Sequence, residues 1–155
     1  MPNAGGLTDR EAAIDALIRF VCALDEGDAE LSASSLTEGA ILELSFTHLG
    51  ASTRVITGRE ATVKLLMDAV GTALDTTHMA TNIRCTVDGN KAELSSSILA
   101  QHFRLGEGPG AEFQDYYLFG NLYKCSVVRE GDLWRMNKVA IKAAWTQGDP
   151  DVMKV

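Results

Sequence analysis

Apolar residues recur at helical spacing through the first half of the chain and at strand spacing after Leu74. From Asp9 to Leu24, the side chains of Ala13, Leu17, Phe20, Val21 and Leu24 fall on one helical face. Thr8, followed three residues later by Glu11, has the form of a capping box. Asp25-Glu-Gly-Asp28 ends this helix and starts a second, Ala29 to Leu36, with Gly27 suited to the turn. Ala40 to Phe46 predicts a strand, His48 to Ser52 a turn, and Thr53 to Ile56 a short extended piece. Thr57-Gly-Arg-Glu60 opens a third helix running to about Leu74, with Val63, Leu66, Met67 and Val70 as its stripe.

The rest of the pattern is β. Strands are expected over His78 to Val87, Ala92 to Arg104, Phe113 to Val128 and Leu133 to Trp145. Asp88-Gly-Asn90 and Glu130-Gly-Asp132 are tight-turn signals, and Gly106 to Gly110 is a longer loop. Helices followed by a run of antiparallel strands mean an α+β fold, with a curved sheet on N-terminal helices and a pocket between the layers. The expected organisation is a flexible arm (1–7), one domain (8–148) and a polar tail (149–155).

Composition narrows the function classes. A length of 155 residues with 46% apolar and 23% charged residues suits one ordinary globular domain. No apolar run is long enough to span a bilayer, and the N-terminus lacks signal-peptide regions. The formal net charge of −7 disfavours nucleic acid as a partner. Cys22, Cys85 and Cys125 are odd in number and widely spaced, which fits buried, reduced thiols in the cytoplasm rather than a disulfide framework. Without a CxxC, a thiolate zinc site is not expected, and neither a metal nor a cofactor is implied.

Chemistry then rests on the histidines. His78 and His102 lie on neighbouring expected strands, and imidazole is the side chain most ready to move protons near neutral pH. Ala92, Leu94, Ser96, Ile98, Ala100 and His102 alternate onto one largely apolar face. His102 is therefore either a satisfied structural residue or a pocket group. His78 depends on the hairpin at Asp88. A three-residue loop with a bulge sets both rings on one face, and a two-residue loop sets them on opposite faces unless a bulge intervenes or His78 precedes the regular strand. Asp25 reads either as a solvated helix-end carboxylate or cap, or as a working group, since a carboxylate opposes the dipole at a helix C-terminus. Tyr117, Phe119 and Tyr123 share a face, either as core or dimer surface or as a pocket wall with hydroxyl donors. Trp134 and Trp145 read as packing residues, and His48, in a loop, carries no assigned role. No Gly-rich phosphate loop, GxSxG elbow or HExxH is present.

Taken in order, Ala23-Leu-Asp25-Glu-Gly-Asp28, Ile56-Thr-Gly-Arg-Glu60, Thr77-His78-Met-Ala-Thr-Asn82, Ala100-Gln-His102, Leu133-Trp-Arg135 and Ala144-Trp-Thr-Gln-Gly-Asp149 carry a resemblance over about Thr8 to Gly148. The chain resembles the SnoaL-like group of the nuclear-transport-factor-like superfamily, nearest the scytalone dehydratase branch. That resemblance implies a cone-shaped roll around a deep pocket, and a homodimer formed through the sheet. It implies a catalytic set of Asp25, His78 and His102, in which the aspartate orients one histidine and the two histidines act as acid and base in removing water. It also implies pocket tyrosines, for which Tyr117 and Tyr123 stand, and an asparagine with Asn82, Asn121 and Asn137 as counterparts. Asn82 and Asn137 are assigned to substrate binding with the two tyrosines. The water-holding tyrosine that precedes the aspartate in that enzyme is Leu24 here.

The expected function is cofactor-independent acid–base chemistry on a small hydrophobic polyketide, terpenoid, alkaloid or steroid-like intermediate. A dehydratase leads; an isomerase or cyclase, or a non-catalytic small-molecule binding domain, are the alternatives. An epoxide hydrolase would need an Asp–Arg–Asp set, for which only Asp115 with Arg84 or Arg135 is at hand.

Overall fold

The computed structural model describes residues 6–47, 50–110 and 115–154. His48, the Phe113 start of the third long strand and residues 1–5 of the arm lie outside them. Helix α1 spans Asp9–Glu26, and its capping box forms as expected, with Thr8 accepting from the Glu11 N–H and Glu11 from the Thr8 N–H. Gly27 ends α1 in the left-handed region, at φ 64°. A Cβ there would also lie 2.8 Å from the Gly71 carbonyl oxygen, so two backbones meet just after Asp25. Asp28 caps α2 (Ala29–Ser34) by accepting from the Leu31 N–H.

The second helix is shorter than its sequence pattern predicts. The Ser35 hydroxyl donates to the Ser32 carbonyl, while the Ser35 carbonyl accepts from the Met136 N–H and draws the chain into the sheet. Strand β1 (Leu36–Ser45) starts at once, with Leu36 fully buried. Strand β2 (Arg54–Thr57) and helix α3 (Arg59–Leu66) follow. The expected long third helix instead loosens into a π turn over Met67–Gly71, closed when Thr72 donates to the Met67 carbonyl. Strands β3 (Leu74–Asp88), β4 (Lys91–Arg104), β5 (Tyr116–Glu130) and β6 (Leu133–Gly148) complete one six-stranded sheet.

The strand order is β2-β1-β6-β5-β4-β3, so β2 and β3 are the two edges. Every pairing is antiparallel except β1 with β6, which run parallel, so the expected all-antiparallel sheet carries one parallel seam. Register shifts within the β1–β6, β3–β4 and β5–β6 pairs mark bulges that bend the strands around the helices. The main core lies between α1 and the concave face, with Leu17, Phe20, Leu36, Trp134, Met136 and Val139 at 2% exposure or less. Arg19 is buried among them. It pairs with Asp15 and donates to the Ser34 and Trp134 carbonyls, tying α1 to β6.

Two expectations change at the C-terminal end. Residues after Gly148 read as a polar tail, yet Pro150–Met153 form a 3₁₀ turn whose Val152 is fully buried. Trp145 reads as a packing residue but is 48% exposed on the outer face, over Gly120, where any Cβ would strike its ring. No helix among the described residues is long and apolar enough to cross a membrane.

Candidate active site

The β3–β4 hairpin decides where His78 points. Asp88 pairs with Lys91, so the loop has two residues, which alone would set the histidines on opposite faces. A bulge intervenes between Thr81↔Ser97 and Arg84↔Ser95, where β3 spends one residue more than β4. Asn82 sits there at φ 54°, a conformation asparagine tolerates better than most residues. Below the bulge Ile83, Cys85 and Val87 face inward; above it Ala80, His78, Thr76 and Leu74 do. His78 then pairs with Ala100 and Thr76 with His102, so both rings face the same side. Their centroids are 5.9 Å apart, nearly perpendicular at 83°.

Asp25 reaches this pair from the end of α1. Its Oδ1 lies 2.6 Å from His78 Nδ1 and accepts from the Thr76 hydroxyl at 2.9 Å, while Oδ2 accepts from the His78 backbone N–H at 2.8 Å. Burial alone would raise the Asp25 carboxyl, but the bonds from the His78 ring and backbone, its charge and the Thr76 hydroxyl outweigh this and hold it below the usual carboxylate range. An ionised Asp25 only accepts, so Nδ1 of His78 carries the hydrogen and Nε2 is left for a ligand. The His78 side chain is 4% exposed and that of Asp25 25%.

His102 is held differently. Its Nδ1 lies 3.0 Å from the Tyr117 carbonyl oxygen, which can only accept, so this ring too has its hydrogen on Nδ1. Phe119 packs edge-on at 5.3 Å. Burial pushes the His102 pKa down to about 4, the Tyr117 bond opposing only in part, so the ring is neutral at physiological pH.

Both rings line a cavity of about 590 Å³ between the sheet and the helices. Leu44, Phe46, Leu66, Val70, Ile141 and Met153 supply apolar wall. Its polar side chains are His78, His102, Tyr117, Tyr123, Asn121 and Arg54. Burial raises the Tyr123 phenol beyond its usual range, so it stays a hydroxyl donor. Leu24, where the resemblance sets a tyrosine in the dehydratase, lines the wall as hydrocarbon.

The assigned asparagines need correcting. Asn82 is exposed at the β3 bulge, and Asn137 is the exposed extra residue of a β6 bulge between Val127↔Met136 and Ser126↔Lys138. Neither lines the cavity; Asn121 does, and its buried Oδ1 has no hydrogen-bond partner. Its signal was the β5 alternation that groups it with Tyr117, Phe119 and Tyr123. Arg54 and the 3₁₀ residues Pro150 and Met153 carried no sequence signal.

The hydrolase set does not assemble either. Asp115 pairs with Arg104 and Arg135 with Glu130, Arg84 is exposed, and none lines the cavity. Cys22 and Cys85 are only partly buried, against expectation, while Cys125 is buried with its thiol pushed up to about 12. Burial raises all three thiols, so none is an activated nucleophile. Among the described residues, no group of three or more His, Cys, Asp or Glu side chains is arranged to hold a metal ion.

Known proteins resemble this chain in sequence and in fold. Terrestric acid biosynthesis cluster protein E of Penicillium crustosum is 38% identical over 148 residues, 92% of this chain and 88% of that protein. A candidate scytalone dehydratase of Novosphingobium aromaticivorans shares the fold at a TM-score of 0.71 and 23% identity, over 90% of this chain and 87% of that one. Hexachlorocyclohexane dehydrochlorinase LinA-type3 of Novosphingobium barchaimii does so at 0.70 and 20%, over 94% and 93%. The family model of the SnoaL-like domain matches residues 6–140, and the chain belongs to that family.

Proposed function

We propose that the chain is an acid–base enzyme acting on a small hydrophobic biosynthetic intermediate, removing water from a β-hydroxy carbonyl compound. One observation carries this reading: His78, fixed by Asp25 through Nδ1, turns its other nitrogen to an apolar cavity beside a second, neutral imidazole. His78 Nε2 takes the proton next to the carbonyl, and the C–H electron pair moves to form the enolate. A tyrosine hydroxyl, from Tyr117 or Tyr123, hydrogen-bonds the forming enolate oxygen. As the enolate collapses to the conjugated alkene, the C–O bond breaks and the departing hydroxyl takes the proton back from His78, leaving as water. His102 Nε2 accepts a hydrogen bond from the substrate hydroxyl and orients it. The relative from a biosynthesis cluster supports a substrate of secondary metabolism.

An isomerase or cyclase is the second reading, because the same groups serve it with the proton returned to carbon and no water leaving; Leu24 sets the wall apart from the dehydratase resemblance at the water-holding position. A panel of aryl β-hydroxy ketones and of β,γ-unsaturated ketones separates the two. Dehydration and conjugation are both followed by ultraviolet absorbance. The dehydratase reading expects turnover of the first group only. Turnover of the second group alone selects the isomerase, and binding without turnover of either leaves a binding domain.

We also propose a homodimer through the outer face of the sheet. Met79, Leu99 and Trp145 share one rung across it with Gly120, and Leu122 lies one rung on. Met79, Leu122 and Trp145 are 45%, 46% and 48% exposed, an apolar row that a second copy would cover. Sedimentation velocity at micromolar concentration should give a dimer, and Leu122→Lys combined with Trp145→Lys a folded monomer. A wild-type monomer sinks the idea. The three free thiols support a reducing setting, the cytoplasm.

A further inference from the structure

We propose that Arg54 receives the carboxylate of an amphipathic substrate whose reacting carbons lie against His78. The His78 end rests on the acid–base reading above; the carboxylate end stands on observations of its own. Arg54 opens the edge strand β2 and pairs directly with Leu44 of β1. Directly opposed residues of antiparallel strands project to the same face, and both Leu44 and Arg54 line the cavity. His78 belongs to β3, the other edge of the sheet. The bent sheet therefore carries a fixed cation on one edge strand and the Asp25-held imidazole on the other, with the cavity between them.

Charge bookkeeping makes the placement informative. Among the described residues, Arg54 is the one Lys, Arg, Asp or Glu that lines the cavity. Its guanidinium has no ion pair and no hydrogen bond with a described residue; Arg10, Arg59 and Arg84 have no ion pair with a described residue either, but they lie outside the cavity, while Arg19, Arg104, Arg129 and Arg135 have carboxylate partners. Partners are not scarce, since the chain has 21 acidic residues against 14 basic. A guanidinium is charged at any physiological pH, and its planar fork matches a carboxylate with two parallel hydrogen bonds. Arg54 is itself exposed, so solvent and salt screen such a pair in part, and it is strongest at low salt. A neutral hydrophobic ligand would leave the guanidinium to solvent and gain nothing from it. An acid is held at one end, which sets which of its carbons reaches the histidines.

The test is calorimetric titration at low salt with naphthylacetate and the neutral naphthylacetamide. The wild type should bind the acid about fivefold tighter than the amide, a preference of about 1 kcal/mol, and added salt should shrink the difference. Arg54→Gln should lose that preference while binding the amide as before; Arg54→Lys should keep part of it. Equal affinities in the wild type, no binding of either probe, or an equal loss on both in Arg54→Gln overturns the proposal. His78→Asn should keep the acid preference. Absence of turnover with the ketone panel would therefore remove the acid–base reading without touching this result, and loss of the acid preference would leave turnover of the neutral ketones standing.

Discussion

His78→Asn should lower turnover about 10³-fold, within the range expected for removing a positioned acid–base group, and leave binding of neutral hydrophobic probes unchanged. Asp25→Asn should lower it by a similar factor through a different route. The carboxylate accepts from His78 Nδ1, the His78 N–H and the Thr76 hydroxyl. An amide supplies one acceptor oxygen in place of two, so its NH₂ must face a donor. Facing the ring, it turns Nδ1 into the acceptor and puts the hydrogen on Nε2, where the mechanism needs a lone pair. The two substitutions act on one unit, so the double variant should be little worse than either single one. Thr76→Val removes one of the three bonds and should cost much less. The measurement is single-turnover kinetics on whichever ketone the wild type converts, with circular dichroism confirming the fold. Wild-type rates in His78→Asn would sink the mechanism. A loss in Asp25→Asn matched by lost probe binding would make the aspartate structural.

Fold class, element order and the inward face of β4 were legible because they rest on periodicity, and all six residues assigned to that face are buried. What periodicity cannot see is a change of phase. The turn at Gly89 and Asn90 has the length that separates the two histidines, and one extra residue at Asn82 brings them back together. Asparagine in the left-handed region is a conformational signal rather than a hydrophobic one, so in a hydrophobic pattern Asn82 shows as a polar side chain and not as the bulge. Asn137 was misplaced for the same reason, being the unpaired residue of another bulge. Asn121 lay on the readable face of β5 but was outweighed by its aromatic neighbours. Arg54 was hidden because only the bending of the sheet brings an edge strand of four residues to the cavity. Leu36 shows tertiary context overriding helix spacing: the Met136 N–H takes the Ser35 carbonyl and the chain leaves the helix early.

Between pH 7 and pH 4 the wild type should lose about 3 kcal/mol of stability that His102→Gln does not lose. His102 has a folded pKa of about 4 against an ordinary 6.5. As pH falls below 6.5 the unfolded chain binds a proton at this ring and the folded chain does not, so stability drops by about 1.4 kcal/mol per pH unit until pH nears 4. The contribution is complete above the unfolded value and gone below the folded one. Asp25 titrates outside this window: its lowered carboxyl gives stability above the unfolded value, near 3.8, and loses it only at more acid pH. Urea unfolding at several pH values, compared between wild type and His102→Gln, isolates the slope; equal slopes would mean that the ring charges freely in the folded protein. The same property has a catalytic consequence. With His102 only 4% exposed and its ring 5.9 Å from His78, a proton on both would place two positive charges side by side, away from water. In the proposed mechanism, a neutral His102 would let His78 alone carry the transferred proton, with Asp25 beneath it, and would keep His102 Nε2 an acceptor for the substrate hydroxyl above about pH 4.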